Sequence, residues 1–327
     1  MELSCAFPPM PDTPRYIARA EELGYARAWV FDTPALQLDV WMTLALAAER
    51  TSRIRLGPGV LIPSLRHPMV TAAAIAHLVQ LAPGRVDIGV GAGFTGRNAM
   101  GQRGLRWRDV AGSVRTVQAL LRGETVEVEG APVRMLHWPG QAPDRPIEVP
   151  WKVAVGGPKG MAAARELGCG VFVSRPGPGS RFEDLPSVTA MVSGTLLQPG
   201  EAPQAERILD AVGPGIAVRY HMAYESGRRE AIAEWPNGER FLELVDALDP
   251  AGRHLALHEG HLSRLNPIDR QVIDAEALAL SPLLCGQEEL PGWIAQFEPM
   301  GVTELAYEPF GDIEAELERF ARAAGLT

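Results

Sequence analysis

The stretch 51–97, TSRIRLGPGVLIPSLRHPMVTAAAIAHLVQLAPGRVDIGVGAGFTGR, constrains the fold more than any other part of the chain. Residues 54–57 form a short β run that breaks at Pro58-Gly59. Pro68 occupies the place of a first-turn proline, and an Ala-rich amphipathic run continues to residue 81. Pro83-Gly84 stops that helix, and residues 85–90 read as a second apolar strand. Two strands joined by a helix make a βαβ unit, which requires a parallel pair and a right-handed crossover. Both loops at the strands' C-terminal ends are glycine-rich, and in parallel α/β proteins ligands bind at that end.

The same alternation runs through the first half of the chain. Strands are expected at 3–7, 25–31, 151–155 and 170–174, and helices from Pro14 to Gly24, after Asp39, over 106–121 and from Pro158 to 167. Asp12 and Asp39 are expected helix caps. Residues 125–135 alternate around Glu129-Gly130 as a hairpin does, and 144–150 is a proline-punctuated linker. A seventh strand is expected at 188–197. Helical patterns follow at 202–225 and 239–248, with an irregular stretch rich in His, Arg and Trp between 227 and 274. A helix around 288–300, a strand at 303–308 and a helix over 312–324 close the chain. Eight strands alternating with helices predict an α/β fold of the (β/α)8 TIM-barrel type, with an extra hairpin and a long late insertion. An open doubly wound sheet is the alternative. The expectation is one barrel domain over 1–327, with 198–275 inserted as a lid over its C-terminal face.

With 327 residues the chain is long enough for such a domain. Its net charge of −9 argues against a nucleic-acid or anionic-membrane surface. Cys5, Cys169 and Cys285 are dispersed and in no metal-like spacing, as free thiols in a reducing compartment would be. No basic leader or transmembrane-length apolar run is present, so a cytoplasmic location is expected. The apolar runs VWMTLALAAER and VTAAAIAHLVQL are richer than one core needs and suggest a homodimer.

AEELGYARAWVFD, LALAAERTSRIRLGPGVLIPSLRHP, LAPGRVDIGVGAGFTGR and VAVGGPKGMAAARELGCGV, in this order and spacing, resemble the bacterial luciferase-like superfamily. The resemblance covers most of 1–174 and the closing strand and helix, and leaves 196–273 uncovered. It implies a flavin-type oxidoreductase that takes either FMN or coenzyme F-420. The former would be a monooxygenase using reduced FMN, with a separate flavin reductase as partner; the latter would transfer hydride to or from a small organic substrate.

Several deazaflavin-using members hold a non-prolyl cis peptide after the third strand, which here matches Gly59-Val60. Gly91 and Gly93 would let a planar ring lie close to the backbone, with Thr95, Gly96 and Arg97 at the mouth. Arg97 suits an anionic group because a guanidinium matches phosphate and carboxylate geometry. Gly156, Gly157 and Lys159 precede or open a helix and form a phosphate seat, with Ser174 as a further donor. The chain also departs from the sugar-phosphate and alcohol dehydrogenases of the deazaflavin branch. Thr33 stands where they carry a catalytic histidine after the second-strand aspartate, Asp32. Phe94 stands where they carry a glutamate. The catalytic groups must therefore come from elsewhere, and His221, His258 and Asp32 are the candidates.

The irregular stretch supplies Tyr224, Trp235, His254 and His261 as expected substrate-facing or lid residues. His254, His258 and His261 at i, i+4 and i+7 would share a helical face. Gly260 interrupts that helix, so no metal site is assigned. A metal-dependent hydrolase built on these three histidines, or a cofactor-free binding protein on the same barrel, are the alternative readings.

Overall fold

The computed structural model describes residues 1–327 apart from Arg175, Pro178 and Glu183. Its first half alternates as expected: β1 (Glu2–Phe7), α1 (Thr13–Glu22), β2 (Arg27–Val30), α2 (Val40–Arg50), β3 (Arg55–Pro58), α3 (Pro68–Leu81), β4 (Ile88–Val90), α4 (Phe94–Asn98) and α5 (Trp107–Leu121). A hairpin of β5 (Val126–Val128) and β6 (Ala131–Val133) follows, then β7 (Trp151–Val155), α6 (Pro158–Leu167), β8 (Gly170–Ser174) and β9 (Val188–Leu197). A helical segment holds α7 (Glu206–Glu225), α8 (Arg229–Ala233), α9 (Gly238–Asp246) and α10 (Arg253–His258). The chain then returns through β10 (Leu283–Gly286), α11 (Leu290–Ala295), β11 (Glu304–Glu308) and α12 (Ile313–Ala323).

Eight parallel strands run in the order β3-β2-β1-β11-β9-β8-β7-β4. Parallel bridges Leu56↔Val86 and Leu61↔Val90 join the two ends of that order and close the barrel. This is the (β/α)8 architecture, and the open-sheet alternative falls away. The seam between β3 and β4 is tight: Leu56 N–H donates to the Arg85 carbonyl at 2.7 Å, and Gly91 N–H to the Leu61 carbonyl at 2.9 Å. β10, absent from the expected strands, pairs with the far half of β9 from Gly194 to Leu197.

Side-chain caps account for some of the helix starts. The Asp39 carboxylate accepts from the N–H groups of Trp41 and Met42 at 2.9 and 3.0 Å and opens α2. Asp312 does the same for α12 through Ala315 N–H. Asp12 does not cap α1 with its side chain. There the Thr13 hydroxyl accepts from Met10 N–H and donates to the Pro8 carbonyl, so the turn is closed one residue later. The short helix α4 lies where the glycine-rich sequence GAGFTGR reads as loop, because Gly93 adopts φ 78° and reverses the chain into it.

The barrel interior is layered. At the N-terminal end the buried Glu304 carboxylate accepts from Ser4 Oγ (2.6 Å), Trp29 Nε1 (2.7 Å), Lys152 Nζ (2.9 Å) and Thr189 Oγ1 (2.9 Å), and pairs with Arg27 at 2.6 Å. Burial alone would raise this carboxyl; Lys152, Arg27 and the hydrogen bonds outweigh that and bring it down to about 2. Above this layer Trp29 meets Phe172 edge to face at 4.6 Å and plugs the barrel. The tryptophan also dictates two glycines of β3 and its loop. A Cβ on Gly57 would come within 2.9 Å of the Trp29 ring and 2.0 Å of the Asp87 carbonyl, and one on Gly59 within 2.8 Å of Trp29 Cβ.

The helical segment has its own apolar core, built from Ile208, Val212, Ile216, Tyr220, Phe241 and Leu257 among others. It docks on the barrel through a Gly-Pro-Gly turn of α7: a Cβ on Gly215 would lie 2.6 Å from Ser193 Oγ of β9. The small residues let α7 lie directly against the strand.

Candidate active site

A cavity of about 600 Å³ opens at the C-terminal ends of the barrel strands, well within the size that holds a cofactor or drug-sized ligand. Its floor is the loop after β3. The Gly59-Val60 peptide bond is cis, and Val60 lies on the cavity floor between two glycines. A Cβ on Gly89 would meet Val60 Cγ1 at 2.8 Å, and one on Gly91 would meet Val60 Cγ2 at 2.8 Å. These glycines therefore serve the packing of Val60 as well as the approach of a ligand.

Asp32, at the end of β2, fixes that loop. Its Oδ2 accepts from Ile62 N–H at 3.1 Å and from Arg66 Nη1 at 2.7 Å, while Arg66 Nη2 reaches Asp39 at 3.0 Å. Burial raises the Asp32 carboxyl above its ordinary value, and Arg66 and the Ile62 N–H offset this only in part. Thr33 hydrogen-bonds Gln37, whose amide donates to the His261 carbonyl at 3.3 Å and so ties the β2 loop to the helical segment.

The structure brings several expected residues to the cavity wall: Asp32, Gly59, Val60, Gly91, Gly93, Thr95, Gly156 and Ser174 all line it. Gly157 and Lys159 stand exposed at the start of α6, beside Gly156 rather than on the wall. Arg97 turns away from the cavity: its Nε donates to the Arg103 carbonyl at 2.6 Å and its Nη1 to Ser64 Oγ at 2.5 Å. Its geometry does not match the anion-partner expectation.

None of the six expected histidine and aromatic residues of the helical segment lines the cavity. Tyr224 donates to Asp246 at 3.1 Å, and Trp235 packs edge to face on Tyr220 at 5.1 Å. His254 sits against Gly101, where an added Cβ would lie 3.1 Å from its ring. The expected trio of His254, His258 and His261 is not assembled, because α10 ends at His258 and Gly260, at φ 71°, reverses the chain. His221 from α7 takes the place of His254. His221 Nδ1 lies 2.8 Å from His261 Nδ1, and the His258 and His261 rings are 4.8 Å apart. Burial, then the neighbouring His221 and His258, hold His261 well below the usual imidazole range.

The helical segment instead presents Val218, Arg219 and Met222 of α7, with Arg228 and Leu262, to the cavity. Sequence reasoning passed over Arg219 and Arg228, since neither belongs to a motif. It also passed over Glu308, buried at the C-terminal end of β11, and Met191 and Ser193 of β9. The alternation along β9 was the one available signal: Met191 and Ser193 are two apart and share a face.

Fold and cavity together define a closed (β/α)8 barrel with a cofactor-sized site at the C-terminal ends of its strands. The chain belongs to the luciferase-like monooxygenase family, which matches residues 4–192. It is 33% identical over 199 residues to the F420-dependent glucose-6-phosphate dehydrogenase of Beutenbergia cavernae, covering 55% of this chain and 56% of that protein. To the enzyme of the same name from Amycolatopsis mediterranei it is 28% identical over 332 aligned positions, covering 95% and 92%. The chain thus spans about half the length of several curated relatives it matches and nearly all of another. The coenzyme F420-dependent tetrahydromethanopterin reductase of Methanopyrus kandleri shares the fold with a TM-score of 0.66 at 20% identity, over 99% of this chain and 98% of that one. Among the described residues no helix is long and apolar enough to cross a membrane.

Proposed function

We propose that the chain is a coenzyme F420-dependent oxidoreductase that moves hydride to or from a small organic substrate. The observation that carries this reading is the floor of the cavity, where Val60 backs a slot bounded by Gly91, Ala154 and Phe172. A flat apolar slot fits a planar ring, and the F420-dependent relatives favour the deazaflavin over FMN. When bound, that group supplies a two-electron carrier at its ring carbon C5.

The chain's own residues divide the remaining work. Asp32, held by Arg66 and Ile62 N–H, positions the loop that carries Val60. The start of α6, with Gly156 on the wall and Lys159 beside it, receives the anionic tail at a helix N-terminus. Arg228 faces the cavity and selects a substrate with an anionic or strongly polar group, while Arg219 lines the wall with its guanidinium stacked on Trp235. Glu308, buried on the wall, carries the proton that accompanies hydride transfer. The helical segment acts as the lid that excludes water. Thr33 and Phe94 stand where the sugar-phosphate dehydrogenases carry their acid/base pair, which argues against that particular chemistry here. The homodimer is part of the proposal: Leu38, Met42, Leu46 and Val70, in and beside α2 and α3, leave large apolar side chains exposed.

The test is a fluorescence titration of the purified protein with F420, oxidised FMN and reduced FMN. Tight binding of F420, weakened several-fold by Lys159→Ala, supports the proposal. A preference for reduced FMN would make the chain a two-component monooxygenase with a flavin reductase as partner. Binding of none of the three would sink the redox reading.

A further inference from the structure

Three histidines that do not touch the cavity form the most unusual polar cluster in the described structure. His221, His258 and His261 are each no more than 4% exposed, and one ring nitrogen from each lies within 4.8 Å of the others. They come from three places: the C-terminal part of α7, the last residue of α10, and the turn after Gly260.

The second layer around them fixes which nitrogens point inward. A carboxylate accepts but does not donate, so a ring nitrogen facing one carries the proton. Asp269 Oδ1 lies 2.9 Å from His221 Nε2, and Glu225 Oε1 lies 2.5 Å from His258 Nε2. Both rings are thereby locked in the tautomer that presents a bare Nδ1 lone pair. His221 Nδ1 faces His261 Nδ1 at 2.8 Å, and the proton in that contact must come from His261. That leaves the lone pair of His261 Nε2. Neither His258 Nδ1 nor His261 Nε2 has a hydrogen-bond partner, although both are buried. The His258 Nδ1 lone pair, buried without a donor, is what a cation satisfies.

The carboxylates are themselves anchored. Asn266 N–H donates to Asp269 Oδ2 at 3.3 Å, and Asn98 Nδ2 donates to Glu225 Oε2 at 2.6 Å. A metal-ligating histidine whose other nitrogen is held by a buried carboxylate is the common second-layer arrangement of metal sites. Here it occurs twice, and the two acids offset a double positive charge.

We propose that His221, His258 and His261 bind one divalent transition-metal ion of the zinc type. Three neutral imidazoles are a known zinc donor set, with a water completing the tetrahedron. Nitrogens at about 2.0–2.1 Å from such an ion sit about 3.3 Å from one another. The ion takes the place of the proton in the 2.8 Å His221–His261 contact: that proton moves to His261 Nε2, both Nδ1 atoms become ligands beside His258 Nδ1, and the contact opens slightly as the His258 ring moves in. The ion pins α7, α10 and the 259–262 turn together. Met222 and Leu262, the sequence neighbours of His221 and His261, line the cavity, so the site sets the roof of the cavity from behind. Since no ligand residue lines the cavity, the ion has a structural role and takes no part in hydrolysis. The inference stands apart from the cofactor assignment.

The experiment uses the full chain, stripped with chelator and titrated with Zn(II) and with Co(II) in the absence of any flavin. The expected result is one equivalent per chain, a tetrahedral Co(II) absorption band, a Tm raised by several degrees, and slower amide exchange over 253–269. His258→Gln and His221→Gln abolish binding, while His254→Ala binds as wild type. Glu225→Gln, which keeps all three rings, weakens binding about 10–100-fold and serves if the histidine variants do not fold. Absence of stoichiometric binding, or binding unchanged in both His258→Gln and Glu225→Gln, overturns the assignment.

Discussion

Arg66 Nη1 donates to Asp32 Oδ2 at 2.7 Å, and this pair fastens the loop after β3 to the end of β2. The Asp32 side chain is almost wholly buried and that of Arg66 is 15% exposed, so the contact is poorly screened. Asp32→Asn keeps an acceptor for Ile62 N–H and removes the charge, while Arg66 retains Asp39. The expected cost is about 2 kcal/mol, below that of a fully orphaned buried charge. Thermal melts should show a Tm lower by several degrees, and cofactor Kd should rise about tenfold as the floor loosens. An unchanged Kd would mean that Asp32 does not position the loop.

Gly91→Ala tests the floor directly. The added methyl meets Val60 Cγ2 at 2.8 Å and Ala154 Cβ at 3.3 Å, so Val60 must shift into the cavity. Stability should fall by about 1–3 kcal/mol, the usual cost of overpacking. Cofactor affinity should fall further, by more than tenfold, when measured by fluorescence titration. Equal affinity in variant and wild type would exclude the slot above Val60 as the ring site.

Glu308→Gln removes the one acidic group of β11 that lines the cavity. Turnover should fall about 10²–10⁴-fold, the usual contribution of a general acid or base, with cofactor Kd unchanged. Steady-state kinetics beside a binding titration separate the two quantities. A variant that turns over at the wild-type rate rules out Glu308 as the proton carrier.

Acid should unfold the barrel through Glu304. Its carboxyl titrates near 2 in the folded chain against an ordinary value of 4.5. A depressed folded-state value stabilises above the unfolded value, so the contribution is complete above about pH 4.5 and is lost as pH falls toward 2. On the order of 3 kcal/mol is at stake. Urea midpoints measured from pH 7 to 3 should decline most steeply in the lower half of that range. Glu304→Gln should be less stable at pH 7, with Lys152 left without a carboxylate and Arg27 reduced to Asp87 and Glu2, and should show a shallower acid slope. Parallel slopes for the two proteins would refute the assignment.

The face of α2 gives the last prediction. Met42 is 70% exposed and Leu46 52%, one helical turn apart. Met42→Glu should convert a dimer to a monomer in sedimentation velocity, with little change in the circular dichroism of the fold. A wild-type chain that sediments as a monomer would already refute the pairing.

The eight barrel strands are legible in the sequence because a parallel strand buried on both faces must be a short apolar run, and because glycine and proline mark its ends. Residues 188–197 illustrate this: β9 occupies the whole of that expected span. The glycines of the loops and Asp39 as a cap were legible for related reasons, since each is a local demand on the backbone, whereas the bond between Gly59 and Val60 came only from the resemblance to the luciferase-like family. Tertiary structure alone decided the rest. Gly57 and Gly59 answer to Trp29, which lies on another strand. Arg97 satisfies its guanidinium on Ser64 and Arg103, and α7 brings Val218, Arg219 and Met222 to the cavity wall although no motif marks them. The histidine cluster makes the same point. Helical spacing grouped His254 with His258 and His261, yet the turn at Gly260 breaks the period and His221 arrives from 40 residues upstream. A sequence states which groups are near along the chain, whereas burial, partners and charge depend on which groups the closed barrel and its helical roof bring together in space.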